Sequence, residues 1–168
     1  MKYNFLNIVG LMTGTSMDGI DISLVQTNGL HLKRLNQNYF YEYSTKTKKT
    51  LTSFLKEDLN FNLKRKDYLD EFITNEHYFA LKDLDILSSC DLLGFHGQTL
   101  YHEPDNKISV QLGNPKKLAQ MLNKDVVFGF RSKDLSLGGQ GAPLAPIYHQ
   151  FIIETLDIEL PCCFFNIG

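Results

Sequence analysis

A chain of 168 residues, 43% apolar and 21% charged, has the material for one core-forming domain and no bias towards disorder. Its net charge of -2 gives no drive towards polyanions, and no apolar run approaches membrane-spanning length, so neither nucleic acid nor membrane is an expected partner. Cys90, Cys162 and Cys163 form neither a disulfide framework nor a metal-ligand spacing, and buried free thiols fit a reducing cytoplasm.

From the N-terminus, Leu6–Met12 and Ile20–Val25 read as neighbouring strands, and Asn4 and Asn7 make the opening too polar for a signal peptide. His31–Tyr43 alternates apolar and polar residues as a third antiparallel strand would. Lys46–Leu59, with Leu51, Phe54 and Leu55, has helical spacing. So does Lys66–Leu87, with Leu69, Phe72, Ile73, Ala80, Leu84 and Leu87 inward and Glu71, Glu76 and Lys82 outward. His77 and Tyr78 are expected on its surface or rim. The lysine runs at 46–49 and 64–66 lie beside these patterns and read as solvated helix ends.

Leu92–Phe95 has no polar face and reads as a buried strand, followed by His96-Gly97-Gln98-Thr99. Ile108–Leu112 should pair with Thr99–His102 across the Pro104-Asp105-Asn106 turn. Asn114-Pro115 gives a helix start, cap then first-turn proline, and that helix should run to about Asn123. Asp125–Phe130 is expected as another buried strand leading to Arg131, and Ser132–Ala142 as a glycine-rich loop. Pro143 opens a helix through about Leu156 with Leu144, Ile147, Tyr148 and Phe151 as its buried stripe, and Pro161–Ile167 reads as the last strand. Because an apolar strand needs neighbours for its backbone, a chain that stops there is expected to be a fragment. A three-strand meander extended by strands arriving through helical crossovers is the ribonuclease-H-like order, an α/β fold with a mixed sheet flanked by helices.

Between the first two strands lies Gly14-Thr15-Ser16-Met17-Asp18-Gly19-Ile20-Asp21, a turn with two glycines, two hydroxyls and a carboxylate. Glycine lets backbone approach closely and take positive φ, so such a turn can aim N–H groups and hydroxyls at an anionic oxygen cluster. An ordinary hairpin loop would use the same Asp-Gly pair. Four polar sets follow expected strands: Thr13–Asp18, His96–Thr99, Arg131 with Asp134, and Gln140. Ligands of open α/β sheets bind beyond the carboxyl ends of strands, so these sets could share a cleft. Each also has an ordinary structural use: His96 capping a strand, Gln98 satisfying a turn, Arg131 pairing with Asp134 at the surface.

Two mechanisms suit this inventory. In one, Gly14–Gly19 holds a nucleotide phosphate, Asp18 or Asp21 orients Mg²⁺ through water, and Arg131 with His96 holds an oxygen-rich acceptor. In the other, Ser16 is a nucleophile, His96 its base and Asp134 the orienter. The second is weaker because Ser16 does not sit in a Gly-x-Ser-x-Gly elbow between a strand and a helix.

At these residues the sequence resembles a known family. Gly10-Leu11-Met12-Thr13-Gly14-Thr15-Ser16-Met17-Asp18-Gly19-Ile20-Asp21, Gly94-Phe95-His96-Gly97-Gln98-Thr99, Gln111-Leu112-Gly113-Asn114 and Gly138-Gly139-Gln140-Gly141-Ala142-Pro143-Leu144 resemble blocks of the anhydro-N-acetylmuramic acid kinases, in the same order. Asn166-Ile167-Gly168 is similar to the start of that family's second glycine-rich loop. The resemblance implies two ribonuclease-H-like lobes of actin/hexokinase type with ATP and Mg²⁺ between them, in a cytoplasmic enzyme of cell-wall sugar recycling. Residues 1–142 would form the first lobe, and 143–168 an inter-lobe helix and the first strand of a second lobe. The implied reaction opens 1,6-anhydro-N-acetylmuramic acid with water and phosphorylates its O6. Gly14, Thr15, Ser16, Met17, Asp18, Gly19, Ile20 and Asp21 would bind the ATP phosphates. His96, Gly97, Gln98, Thr99, Arg131 and Gln140 would face the amino sugar, and a homodimer is the assembly carried with the resemblance. Two departures stand out. Gly129 lies where the family is expected to carry Asp, and the aspartate that activates water is expected beyond Gly168, leaving Asp18 and Asp134 as the only substitutes within these sets. A chain lacking that base would bind nucleotide or sugar without turnover.

Overall fold

The computed structural model describes residues 4–55 and 65–165. They divide into two compact units. The first holds the described residues up to His102 with Ser109–Gly129, and the second holds Glu103–Ile108 with the described residues from Phe130 onward.

The first unit is built on a five-stranded sheet. Strands β1 (Leu6–Met12), β2 (Gly19–Thr27) and β3 (Leu32–Glu42) form the expected meander, each antiparallel to the one before. Helices α1 (Thr45–Leu55), α2 (Lys66–Leu81) and the one-turn α3 (Ile86–Ser89) lead to β4 (Leu92–Phe95), which lies parallel to β1. A hairpin of β5 (Gln98–Glu103) and β6 (Ile108–Leu112) forms a separate two-stranded sheet. Helix α4 (Pro115–Leu122) then returns the chain to β7 (Asp125–Phe128), parallel to β4. The order β3-β2-β1-β4-β7, with β2 as the one strand antiparallel to the other four, is that of a ribonuclease-H-like, actin-type lobe.

Period-2 alternation sends Ile20, Ile22 and Leu24 of β2 into the core while Asp21 stays in solvent. Leu51 and Phe54 of α1, Leu69 and Ile73 of α2, and Leu118 of α4 complete that core with Val9, Leu93 and Phe95. Helix α4 starts as its sequence demands: the Asn114 side chain accepts from the Lys117 N–H at 3.0 Å, with Pro115 in the first turn.

Several expected elements differ. The single helix expected over 66–87 stops at Leu81, and Ile86 starts another turn after a break. The tail of the 46–59 helix beyond Leu55, Lys64 and the 166–168 block lie outside the described residues. Strand β7 is not buried: it is the outer strand of the sheet, with Val127 43% and Phe128 50% exposed. Only Cys90 of the three cysteines is buried; Cys162 is half-buried and Cys163 exposed.

In the second unit, Phe130–Ser136 forms helix α5, taking the expected strand end at Phe130 and the start of the loop expected over Ser132–Ala142. The first glycine there is Gly138, so Phe130–Leu137 is free of helix breakers, and Leu135 is buried. Helix α6 (Leu144–Leu156) follows the glycine-rich turn, but Leu144, Ile147 and Tyr148 are exposed and no residue of α6 is fully buried. An apolar stripe specifies a face and not what covers it. Residues 161–165 form no strand, having no neighbouring strand to pair with. Among the described residues no helix is long and apolar enough to cross a membrane.

Candidate functional site

Parallel pairing of β1 with β4, Leu11 opposite Phe95, brings the carboxyl ends of these strands side by side. The loop after β1 and the segment after β4 therefore leave the same edge of the sheet, although 84 residues separate them. Two hydrogen bonds tie them. The Thr13 hydroxyl donates to the Gly97 carbonyl at 2.7 Å, and the Gln98 carboxamide Nε2 donates to the Gly14 carbonyl at 2.8 Å. Of the predicted sets, these two are brought together by direct bonds.

Within the loop, the Met17 N–H donates to the Gly14 carbonyl at 3.3 Å and closes a turn over Thr15 and Ser16. Met17 takes φ 55°, in the left-handed region where non-glycine residues are strained, and its buried side chain anchors the turn to the core. Ile20 is also fully buried, so Met17 and Ile20 can offer a ligand only backbone. Gly19 has a packing reason of its own, because a Cβ there would run into the Tyr41 carbonyl and the Phe40 ring of β3. What faces solvent is Thr15, Ser16, Asp18 and Asp21. Among the described residues, the N–H groups of Gly14, Thr15 and Ser16 have no hydrogen-bond partner. Consecutive unpaired N–H groups beside exposed hydroxyls are a concavity suited to anionic oxygen.

The Asp18 carboxylate accepts from the Ser16 hydroxyl at 2.7 Å. That bond, with further ones from the backbone of Asp18 and Gly19, holds its carboxyl below the usual range, so it is ionised at neutral pH. From behind, the Tyr43 N–H donates to the Asp18 carbonyl at 2.9 Å. Ser16 thus spends its hydroxyl hydrogen on Asp18, while His96 Nδ1 donates to the Gly97 carbonyl at 2.7 Å. A nucleophile paired with a carboxylate two residues away has lost the arrangement a Ser-His pair requires.

The second set is less exposed than expected. Gly97, Gln98 and Thr99 are buried and His96 half-buried. Gly97 takes φ +73° with its Cα against the Leu112 carbonyl, a place no side chain could occupy. The Gln111–Asn114 block is held from below by α2: the Gly113 N–H donates to Asp70 at 2.8 Å and the Asn114 N–H to the Thr74 hydroxyl at 2.7 Å. His77, expected at the surface, is instead fully buried. Its Nδ1–H satisfies the Ile73 carbonyl at 2.8 Å, which lets the ring sit in the core against Phe95. Asp70, Thr74 and His77 were missed as supports, although polar residues at i, i+4 and i+7 on an otherwise apolar face are a readable sign of one buried polar stripe.

Arg131 and Gln140 belong to the second unit. There Arg131 Nη1 donates to the Gly141 carbonyl at 2.7 Å, and Asp134 accepts from the Gly141 N–H at 2.7 Å. Gly141 is gripped at both ends of its backbone, while Gln140 is exposed. Burial lowers the Arg131 guanidinium from its ordinary value. No cluster of three metal-ligating side chains occurs among the described residues. At the opposite, amino ends of β4 and β7 lies a groove lined by Cys90, Asp91, Lys124 and Asp125, but Lys124 already donates to the Cys90 carbonyl at 2.6 Å.

A family profile described as anhydro-N-acetylmuramic acid kinase matches residues 6–168. The protein of that name from Pelagibacter ubique is 37% identical over 171 residues, covering 98% of this chain and 46% of its own length. Those from Bradyrhizobium diazoefficiens (33%, 97% of this chain) and Agrobacterium fabrum (37%, 95% of this chain) are similar to it in the same way. The chain spans about half the length of these relatives. With the sheet order and the loop blocks already in place, this match decides the affiliation: the chain belongs to the anhydro-N-acetylmuramic acid kinase family.

Proposed function

We propose that this chain supplies the ATP phosphate loop and part of the sugar-facing wall of a kinase acting on 1,6-anhydro-N-acetylmuramic acid in the cytoplasm. In the proposed reaction, water gives a proton to the general base and adds to C1 of the sugar, the C1–O6 bond breaks, and O6 takes the γ-phosphoryl group of ATP with ADP leaving, giving N-acetylmuramic acid 6-phosphate. The observation that carries this reading is the run of unpaired N–H groups at Gly14, Thr15 and Ser16 beside two exposed hydroxyls, in a member of a kinase family. Asp18, ionised and exposed, is the group we assign to Mg²⁺ through water. His96, Gly97, Gln98 and Thr99 in the first unit, and Arg131 and Gln140 in the second, are the residues proposed to face the sugar. The general base is assigned to the part of the family's length that this chain does not span. Residues 1–142 are the proposed first lobe and 143–168 the connection to the second, with a homodimer as the proposed assembly.

The half-length of the chain favours a second reading, a nucleotide- and sugar-binding module without turnover. Calorimetric titration with ATP·Mg²⁺, together with a coupled ADP-release assay on the anhydro-sugar, separates the two. Binding with turnover supports the kinase, binding alone the module. Absence of nucleotide binding in a folded sample overturns both.

A further inference from the structure

We propose that Gln98 is a positioning residue, a lock that fixes the orientation of the Gly14–Thr15 peptide and so turns the loop's N–H groups towards the phosphate. The inference rests on the nucleotide reading above but assigns Gln98 a task other than touching sugar. Gln98 is fully buried, and its carboxamide faces two carbonyls, Gly14 at 2.8 Å and Thr99 at 3.2 Å. Carbonyls only accept, so the atom between them is Nε2 and the orientation of the amide is settled by its partners.

In a trans peptide the C=O and the following N–H point in opposite directions. Holding the Gly14 carbonyl inward therefore turns the Thr15 N–H outward, into the run of unpaired donors at Gly14, Thr15 and Ser16. The same carbonyl accepts from the Met17 N–H at 3.3 Å, so one oxygen fixes both ends of the turn. A turn with a strained Met17 and a flexible glycine has little else to stop that peptide from flipping. Thr13, bound to the Gly97 carbonyl at 2.7 Å, holds the strand end but not this peptide.

The other end of the carboxamide argues against a packing role. Among the described residues Gln98 Oε1 is buried without a partner, which costs stability that a methionine of similar volume would avoid. The donor end is what the fold uses.

The test compares the unsubstituted chain with Gln98→Met and Gln98→Glu by amide NMR, hydrogen exchange and ATP·Mg²⁺ titration. In Gln98→Met the fold is expected to persist, the Met17 amide to exchange at least about tenfold faster, and ATP·Mg²⁺ affinity to fall about tenfold, the size of one oriented hydrogen bond. In Gln98→Glu an ionised side chain cannot donate to Gly14, so the loop is expected to loosen at pH 8. It should recover, relative to the unsubstituted chain at the same pH, as acid restores a donating O–H. Unchanged Met17 protection and Thr15 and Ser16 shifts in either folded variant overturn the lock. Should Gln98→Met not fold, the scalar coupling across the Gln98 to Gly14 hydrogen bond in the unsubstituted chain decides: its presence supports the lock and its absence overturns it. Loosening of the loop in a chain that never binds ATP·Mg²⁺ upholds the lock and overturns the nucleotide reading instead.

Discussion

The ring of His77 meets the ring of Phe95 edge-on, with centroids 4.8 Å apart and planes at 69°. One imidazole nitrogen donates to the Ile73 carbonyl; the other, Nε2, is buried with no partner among the described residues. Protonating it would place an unpaired cation in the core, so burial pushes the His77 pKa down to about 4. Because the folded value lies below the unfolded one, this contribution to stability is complete above about pH 6.5 and is lost as pH falls towards 4. Urea midpoints across that window should fall by the equivalent of about 3 kcal/mol, and His77→Leu should flatten the slope.

Removing the Ser16 hydroxyl takes away the first cause of the low Asp18 pKa. In Ser16→Ala the Asp18 carboxyl is expected to titrate at higher pH, nearer its ordinary range, by carbon-detected NMR. ATP·Mg²⁺ affinity should drop by roughly three- to tenfold in calorimetry, since the carboxylate assigned to Mg²⁺ loses the hydrogen bond that positions it.

Gly19→Ala tests the fold rather than the ligand. A methyl group there collides with the exposed Phe40 ring, which can turn aside, and with the Tyr41 carbonyl, which cannot yield without disturbing the β2–β3 pairing. Destabilisation of about 1–3 kcal/mol in urea unfolding is expected.

Thr74→Val should cost about 1–3 kcal/mol, because the Asn114 N–H loses its acceptor with no other group in place. Asn114→Ala, by contrast, removes only a helix cap and should cost about 1 kcal/mol. Both are read from thermal or urea midpoints, and they remove different hydrogen bonds, because Asn114→Ala keeps the backbone N–H that Thr74 accepts.

The meander, the crossover order and the α4 start were legible because each rests on local signals: alternation in β2, Asn-Pro at 114–115, the apolar run at 92–95. The loop blocks were legible as groups, since polar residues after strand ends must gather at one edge once β1 and β4 pair in parallel. What each residue does there was not. Gln98 and Gln140 look alike in sequence, yet one is sealed beneath Gly14 and the other exposed, a difference set by tertiary neighbours. His77 misled for the same reason, because a satisfied ring nitrogen is invisible until the helix carbonyl below it is placed. The apolar residues of α6 and 161–165 misled in the other direction, since hydrophobicity records a need for a partner and not its presence.

The two bonds that shape the loop, Thr13 to Gly97 and Gln98 to Gly14, each close a span of 84 residues. Closing so long a span carries a large entropy loss before any contact rewards it, so these bonds form only after the central strands have met. A short peptide copied from Gly14–Asp21 would have no reason to hold this shape. The loop's geometry is a late product of folding, and an anion bound to it would stabilise the first unit as a whole by selecting chains that have completed the sheet.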